Sequence, residues 1–214
     1  MCWLTVGCSR LCLCTQLPPY RFNRLTDCTC ADRMCLMLDK PTQHQWNVLM
    51  KIFQKQHVHL RALAGAGKTY ILTYLLLQVL KDKDTNVLLV ANTEALVFHV
   101  VKWLWHRTKH YMRAALLPRI HYLCSPFCCG PRRITVDAGT GAMTPEHVPP
   151  ELKTSYAYTV IDEAHHCTQT EDQLEFIQSH AGKSKFLACS DLSQADGGSA
   201  KLPTGMTVHI YAHC

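Results

Sequence analysis

The stretch Arg61–Leu76, RALAGAGKTYILTYLL, sets a lysine and a hydroxyl residue directly behind two glycines, an arrangement able to hold a polyphosphate. Binding a triphosphate requires concentrated positive potential and available backbone N–H donors, which a glycine-rich turn opening into a helix N-terminus supplies. In the run Ala64, Gly65, Ala66, Gly67, Lys68, Thr69, Tyr70 the two glycines can take the backbone angles that aim successive amides at the phosphates. Lys68 can reach β- and γ-phosphoryl oxygens, and Thr69 offers its hydroxyl to Mg²⁺. Tyr70 completes the candidate nucleotide contacts. Ala62 stands where the usual Gly-x-x-x-x-Gly-Lys-Thr pattern opens on glycine. It lies at the exit of a β-capable run, where the backbone need not wrap an anion, so alanine fits.

Two further stretches supply complementary chemistry. In VIDEAHHC, Asp162 closes an apolar strand and can hold Mg²⁺ through its water shell, while Glu163 can orient or deprotonate an attacking water. In ACSDLSQ, Asp191 and Gln194 again follow an apolar strand. The 94 residues from Lys68 to Asp162 accommodate two βα units, and the 29 from Asp162 to Asp191 suit one crossover helix. Loops at the carboxyl ends of parallel strands line one crevice, so Lys68, Asp162 and Gln194 are expected to converge.

The elements that must position these loops are legible as alternating strands and helices. In KPTQHQWNVLMKIFQ, Trp46, Leu49, Met50 and Phe53 recur at three- and four-residue steps, which predicts an amphipathic helix. A short strand over 57–63 precedes the glycine turn. A helix over 67–81 follows it, apolar almost all round, as expected of one packed between a sheet and another layer. VLLVAN reads as a buried parallel strand, followed by a helix over 93–108 with Thr93 as N-cap. Short strands are expected at 119–124 and 207–211, and a long Pro/Gly-rich loop over 125–155 with a small strand at 134–136. YAYTVIDEA, a helix near 171–180, and the strand KFLACSD complete the pattern. The fold class is therefore α/β: a three-layer P-loop domain with a mainly parallel sheet over 38–214, preceded by an irregular Cys-rich extension over 1–37.

The set resembles the first RecA-like domain of superfamily 1 DNA/RNA helicases and related ATPases, the Schlafen-type helicase group included. AGAGKT is similar to their phosphate-binding motif, VIDEAHH to the second motif, and SDLSQ to a third that usually reads Gly-Asp-x-x-Gln. The resemblance implies ATP and Mg²⁺ as ligands, with Gln194 sensing the γ-phosphate and Gln45 reading adenine, although Gln43 competes for the latter role. VLLVANTEAL resembles the segment that touches single-stranded DNA or RNA. In such helicases arginines from a second RecA-like domain complete the ATP site. Only 23 residues follow Asp191, so the expectation is half of a motor, with a protein partner able to supply an arginine finger. A helicase-like ATPase is one reading. The alternative is a nucleotide-dependent regulatory switch or a degenerate pseudo-ATPase.

Composition sets the outer bounds. A net charge of +6 permits a polyanionic partner, but the charges never form a run of five. Thirteen cysteines without a secretory pattern at the start favour a reducing, intracellular setting, cytoplasmic or nuclear. The longest apolar run, Tyr70–Leu80, is too short to cross a bilayer, so no membrane partner is expected. The cysteine pairs of the first 37 residues are spaced C-x-C, which does not make zinc knuckles. His165, His166 and Cys167 are consecutive and point apart. Cys124, Cys128, Cys129 and His121 are read as structural, and Trp103 and Trp105 among basic residues are read as packing groups beside a solvated helix end.

Overall fold

Uninterrupted apolar runs bury a strand on both faces, and three of them form the middle of the sheet. They are β2 (Asn86–Ala91), β6 (Tyr156–Ile161) and β7 (Lys185–Asp191). The structure, a computed structural model, describes residues 40–137, 140, 142–149, 152, 154–191, 193 and 200–211, so the Cys-rich extension over 1–37 lies outside the described residues. The other strands are β1 (His57–Ala62), β3 (Ile120–Cys124), β4 (Arg132–Val136), β5 (Met143–His147) and β8 (Thr207–Tyr211). Together they make an eight-stranded sheet ordered β5-β4-β3-β2-β6-β7-β1-β8. Pairing is parallel from β3 through β8 and antiparallel at β3–β4 and β4–β5.

Alternation along β2 assigns its side chains to two layers. Val87, Leu89 and Ala91 face a core built with α1 (Gln43–Phe53), α2 (Lys68–Val79) and α3 (Glu94–Arg107). Leu88 and Val90 face a smaller core shared with α5 (Ala164–Cys167) and α6 (Glu171–Ala181). Helices on both faces of a mostly parallel sheet give the three-layer α/β architecture expected from the sequence. In α2, Ile71, Leu72, Thr73, Leu75 and Leu76 are all buried. Each large aliphatic side chain hidden this way contributes about 1.5–3 kcal/mol.

Helix starts follow their caps. Thr42 and Gln45 form a capping box at α1, Thr170 and Gln173 form another at α6, and the Thr93 hydroxyl accepts from the Leu96 amide at α3. The inward face of α1 differs from the stripe expected. Leu49 and Ile52 are fully buried, whereas Trp46 and Met50 remain 40% and 42% exposed, with Trp46 packing edge-on against Tyr74. The three- and four-residue steps fit either face, and packing against α2 selects the one carrying Ile52.

The small strand expected at 134–136 is part of β4, whereas α4 (His110–Leu116), a 3-10 turn, Leu117–Arg119, and β5 are absent from the sequence reading. The stretch assigned to a long loop holds a β-hairpin, in which Ile134 faces Pro145 and Val136 faces Met143. Pro145 argues against a strand in sequence, but β5 is the sheet edge, where a missing N–H costs no ladder bond. Glu94 fastens the hairpin to α3: it accepts from the Tyr122 hydroxyl at 2.6 Å and pairs with Arg132 at 3.1 Å.

Candidate nucleotide site

β1 delivers the chain to the sheet edge at Ala62, and the turn that follows is made possible by glycine. Gly65 and Gly67 stand at φ +76° and +81°, and Gly67 caps the N-terminus of α2. A side chain at Gly67 would meet a second obstacle, because its Cβ would lie 2.8 Å from Gln45 Nε2. Lys68, first in the helix, folds back over the turn. Its ammonium donates to the carbonyls of Ala62 at 3.0 Å and Leu63 at 2.9 Å, and it lies 3.6 Å from Asp191 Oδ2.

Thr69 faces the other way, and its hydroxyl donates to Asp162 Oδ2 at 3.1 Å, joining residues 93 apart in the chain. Parallel pairing explains the meeting. Ala62 is in register with Asp191 across β1 and β7, Ile161 is in register with Ala188 across β6 and β7, and the Asp162 amide still bonds Val90 O at 2.9 Å. Three loops thus leave neighbouring strand ends at one edge, the convergence expected of Lys68 and Asp162. Gln194, the third member, lies outside the described residues. Ser190 and Asp191, which precede it, are in place on β7.

The two carboxylates are held in opposite electrostatic states. Asp162 is only 2% exposed, and burial raises its carboxyl above the usual range, with the Thr69 hydroxyl and the Glu163 amide only partly offsetting this. For Asp191, burial also acts upward, but the Ser193 hydroxyl and amide and the Lys68 ammonium outweigh it and hold the carboxyl below its ordinary value. A nearly dry carboxylate touched by one hydroxyl and one amide has lone pairs suited to a hard cation, so Thr69 and Asp162 fit Mg²⁺ as a donor set. Glu163 follows at φ +51°, ψ +50°, a left-handed conformation that costs a non-glycine residue on the order of 1–3 kcal/mol. The kink leaves Glu163 exposed while Ala164 and Cys167 sink into the core.

Other candidate residues sort by their contacts. The Gln45 side chain completes the α1 capping box and reaches Gly67, whereas Gln43 donates to Asn47 along its own helix at 3.0 Å, so Gln45 is the glutamine at the phosphate turn. The half-buried Tyr70 ring packs against Tyr74 and Trp103. Trp103 is buried beneath the Arg107 guanidinium at 4.5 Å and Arg113 lies over Trp105 at 5.0 Å, so the tryptophans pack as expected, whereas the half-buried Arg107 departs from the solvated helix end expected. His121 bonds the Tyr156 hydroxyl and Pro118 O rather than joining the nearby cysteines. Among the described residues no group of three or more His, Cys, Asp or Glu side chains could hold a metal ion by itself.

Sequence reasoning missed two features of the site. It gave Asp191 no role at Lys68, although the parallel register of β1 and β7 places the two together. It also missed His59, whose Nε2 lies 2.9 Å from Ser190 Oγ in the interior, tying the strand that feeds the phosphate turn to the strand that carries Asp191. A histidine in the run HVHLRA carries no signal for such a pairing.

A glycine turn at a helix N-terminus, a lysine over it and an Asp at a neighbouring strand end define a P-loop nucleotide-binding domain of RecA-like architecture. The model of the DEAD/DEAH box helicase family matches residues 42–190, and the chain belongs to that family. Among solved structures it is similar to the UvsW helicase from bacteriophage T4, at 15% identity over 81% of this chain and 60% of that one, with a TM-score of 0.55. It also aligns with the Pif1 helicase from Candida albicans at 14% identity, over 81% of this chain and 40% of that one, with a TM-score of 0.45. No curated protein matches the chain in sequence. The chain therefore spans about 60% of the UvsW chain. It is a helicase core half with an ATP-binding function. No helix among the described residues is long and apolar enough to cross a membrane.

Proposed function

We propose that this domain, over 38–214, binds ATP with Mg²⁺ and hydrolyses it, and that single-stranded nucleic acid bound beside the VLLVANTEAL segment stimulates the reaction. The observation that carries the reading is the contact between Thr69 and Asp162, 3.1 Å across 93 residues, beside the Lys68–Asp191 pair. Backbone amides of Gly65–Thr69 receive phosphate oxygens, and the Lys68 ammonium moves from the carbonyls of Ala62 and Leu63 onto the β- and γ-phosphoryl groups. Mg²⁺ held through Thr69 and Asp162 would neutralise charge developing on those oxygens. Glu163, exposed at the kink, takes the proton of the attacking water, and Gln194 registers the γ-phosphate. Gln45, anchored by its capping box against Gly67, positions the adenine end, with Tyr70 behind the turn.

An arginine from a partner or from a further domain would complete the transition-state charge balance, a contribution typically worth ~10³ to 10⁵ in rate. Without such an arginine, turnover is slow. A reducing, intracellular compartment fits the thirteen cysteines. The test is a pair of variants assayed for nucleotide binding and phosphate release. Glu163→Gln should keep binding and lose turnover at least tenfold, and Lys68→Ala should lose binding. Turnover unaffected by Glu163→Gln would remove that residue as the base. Intact binding with no turnover in the wild type, with or without single-stranded DNA or RNA, would favour a regulatory switch.

A further inference from the structure

We propose that Asp191 is a positioning residue that competes with phosphate for the Lys68 ammonium, weakening nucleotide binding and speeding release; the inference rests on the nucleotide site proposed above. The Lys68 ammonium donates to the carbonyls of Ala62 at 3.0 Å and Leu63 at 2.9 Å, and Asp191 Oδ2 stands 3.6 Å away. That last separation is longer than a hydrogen bond, so the carboxylate attracts the cation by charge without fixing its geometry. Only 13% of the Lys68 side chain and 7% of the Asp191 side chain are exposed, so salt and water screen the pair incompletely.

Contacts that do not involve Lys68 keep the carboxylate in place. Asp191 Oδ1 accepts from the Ser193 amide at 2.8 Å and from the Ser193 hydroxyl at 2.7 Å, so Oδ2 is the oxygen beside the ammonium. Behind it β7 lies in parallel register with β1, Asp191 opposite Ala62, and the buried Ser190 Oγ stands 2.9 Å from His59 Nε2. A polyphosphate on Gly65–Thr69 must therefore recruit a lysine that has a fixed negative charge at its side. Two effects act with one sign, because the carboxylate repels phosphate and retains the cation. An opposite charge at this range moves an ionisation equilibrium by ~1–3 pK units, so neutralising it should tighten nucleotide binding about tenfold. Related variants differ mostly in dissociation rate, so release should slow by a similar factor.

The experiment titrates ATP and ADP, each with Mg²⁺, into the full chain and follows dissociation of a fluorescent ADP by stopped flow. Asp191→Asn removes the charge while its side-chain oxygen can still accept from Ser193. It should bind both nucleotides about tenfold more tightly and release ADP more slowly, and the smaller neutral variant Asp191→Ser should tighten binding as well. Asp191→Glu keeps the charge and should stay within about threefold of the wild type. A merely structural role predicts the reverse, weaker binding with a lowered thermal midpoint in all three variants. Binding by the wild type that Lys68→Ala loses, with no tightening in Asp191→Asn or Asp191→Ser, would overturn this inference alone. No nucleotide binding by the wild type would overturn it together with the site on which it rests.

Discussion

Gly65 and Gly67 have nearly the same backbone angle but different neighbours, and that difference separates two predictions. At Gly65 an added Cβ meets nothing within 4 Å, so Gly65→Ala costs only the left-handed strain, about 1–2 kcal/mol. At Gly67 the same strain is joined by the approach to Gln45 Nε2, and withdrawal of Gln45 breaks the bond from the Thr42 amide to Gln45 Oε1. Loss of the cap adds ~1 kcal/mol, so Gly67→Ala should lower stability by about 2–3 kcal/mol in urea denaturation. His59 gives a pH prediction. Burial, reinforced by Arg61, lowers its pKa to about 4. The unfolded chain takes up that proton near pH 6.5 and the folded chain does not, so stability is full above pH 6.5 and falls as pH drops toward 4. The loss attributable to this group is on the order of 2–3 kcal/mol. His121, also lowered by burial, acts in the same direction, whereas the raised Asp162 carboxyl acts in the opposite one. The difference between wild type and His59→Gln isolates the first contribution. Unfolding free energies of the two that stay parallel from pH 7 to pH 4 would contradict it.

Among the described residues Arg119 forms a dense polar tie between elements. Its guanidinium donates to Leu80 O, Asp82 O and Thr85 O at the end of α2 and the turn into β2, and to Ala115 O in α4. Arg119→Ala should cost about 2–3 kcal/mol, since bonds to a charged donor are each worth more than neutral ones. Lys should not rescue it, because one ammonium cannot span carbonyls in three segments. An unchanged denaturation midpoint in Arg119→Ala would refute this role. The strands that carry the site were readable because burial on both faces writes continuous apolar runs, as in VLLVA and KFLACS. The second strand of the hairpin was not, because Pro145 sits on an edge strand, and α4 was not, because its seven residues are too few to display a period. The site divides in the same way. Lys68, Thr69 and Asp162 announce themselves by spacing, whereas the Asp191 ion pair and the His59–Ser190 bond exist only through strand register.

At the scale of the whole molecule, parallel order turns three distant loops into one edge, and the chemistry rests on that convergence. The chain spans about 60% of the UvsW chain. If nucleic acid binds beside α3, the affinity should fall steeply with salt, because contacts to phosphates release counterions. The convergence itself is tested most directly by calorimetric titration of ATP into the wild type, Lys68→Ala and Asp162→Asn, each with Mg²⁺ and with EDTA. The wild type should bind one ATP with tighter affinity when Mg²⁺ is present, Lys68→Ala should show no measurable binding, and Asp162→Asn should bind ATP without the Mg²⁺ enhancement. Equal ATP affinity in wild type and Lys68→Ala, or an undiminished Mg²⁺ effect in Asp162→Asn, would contradict the account.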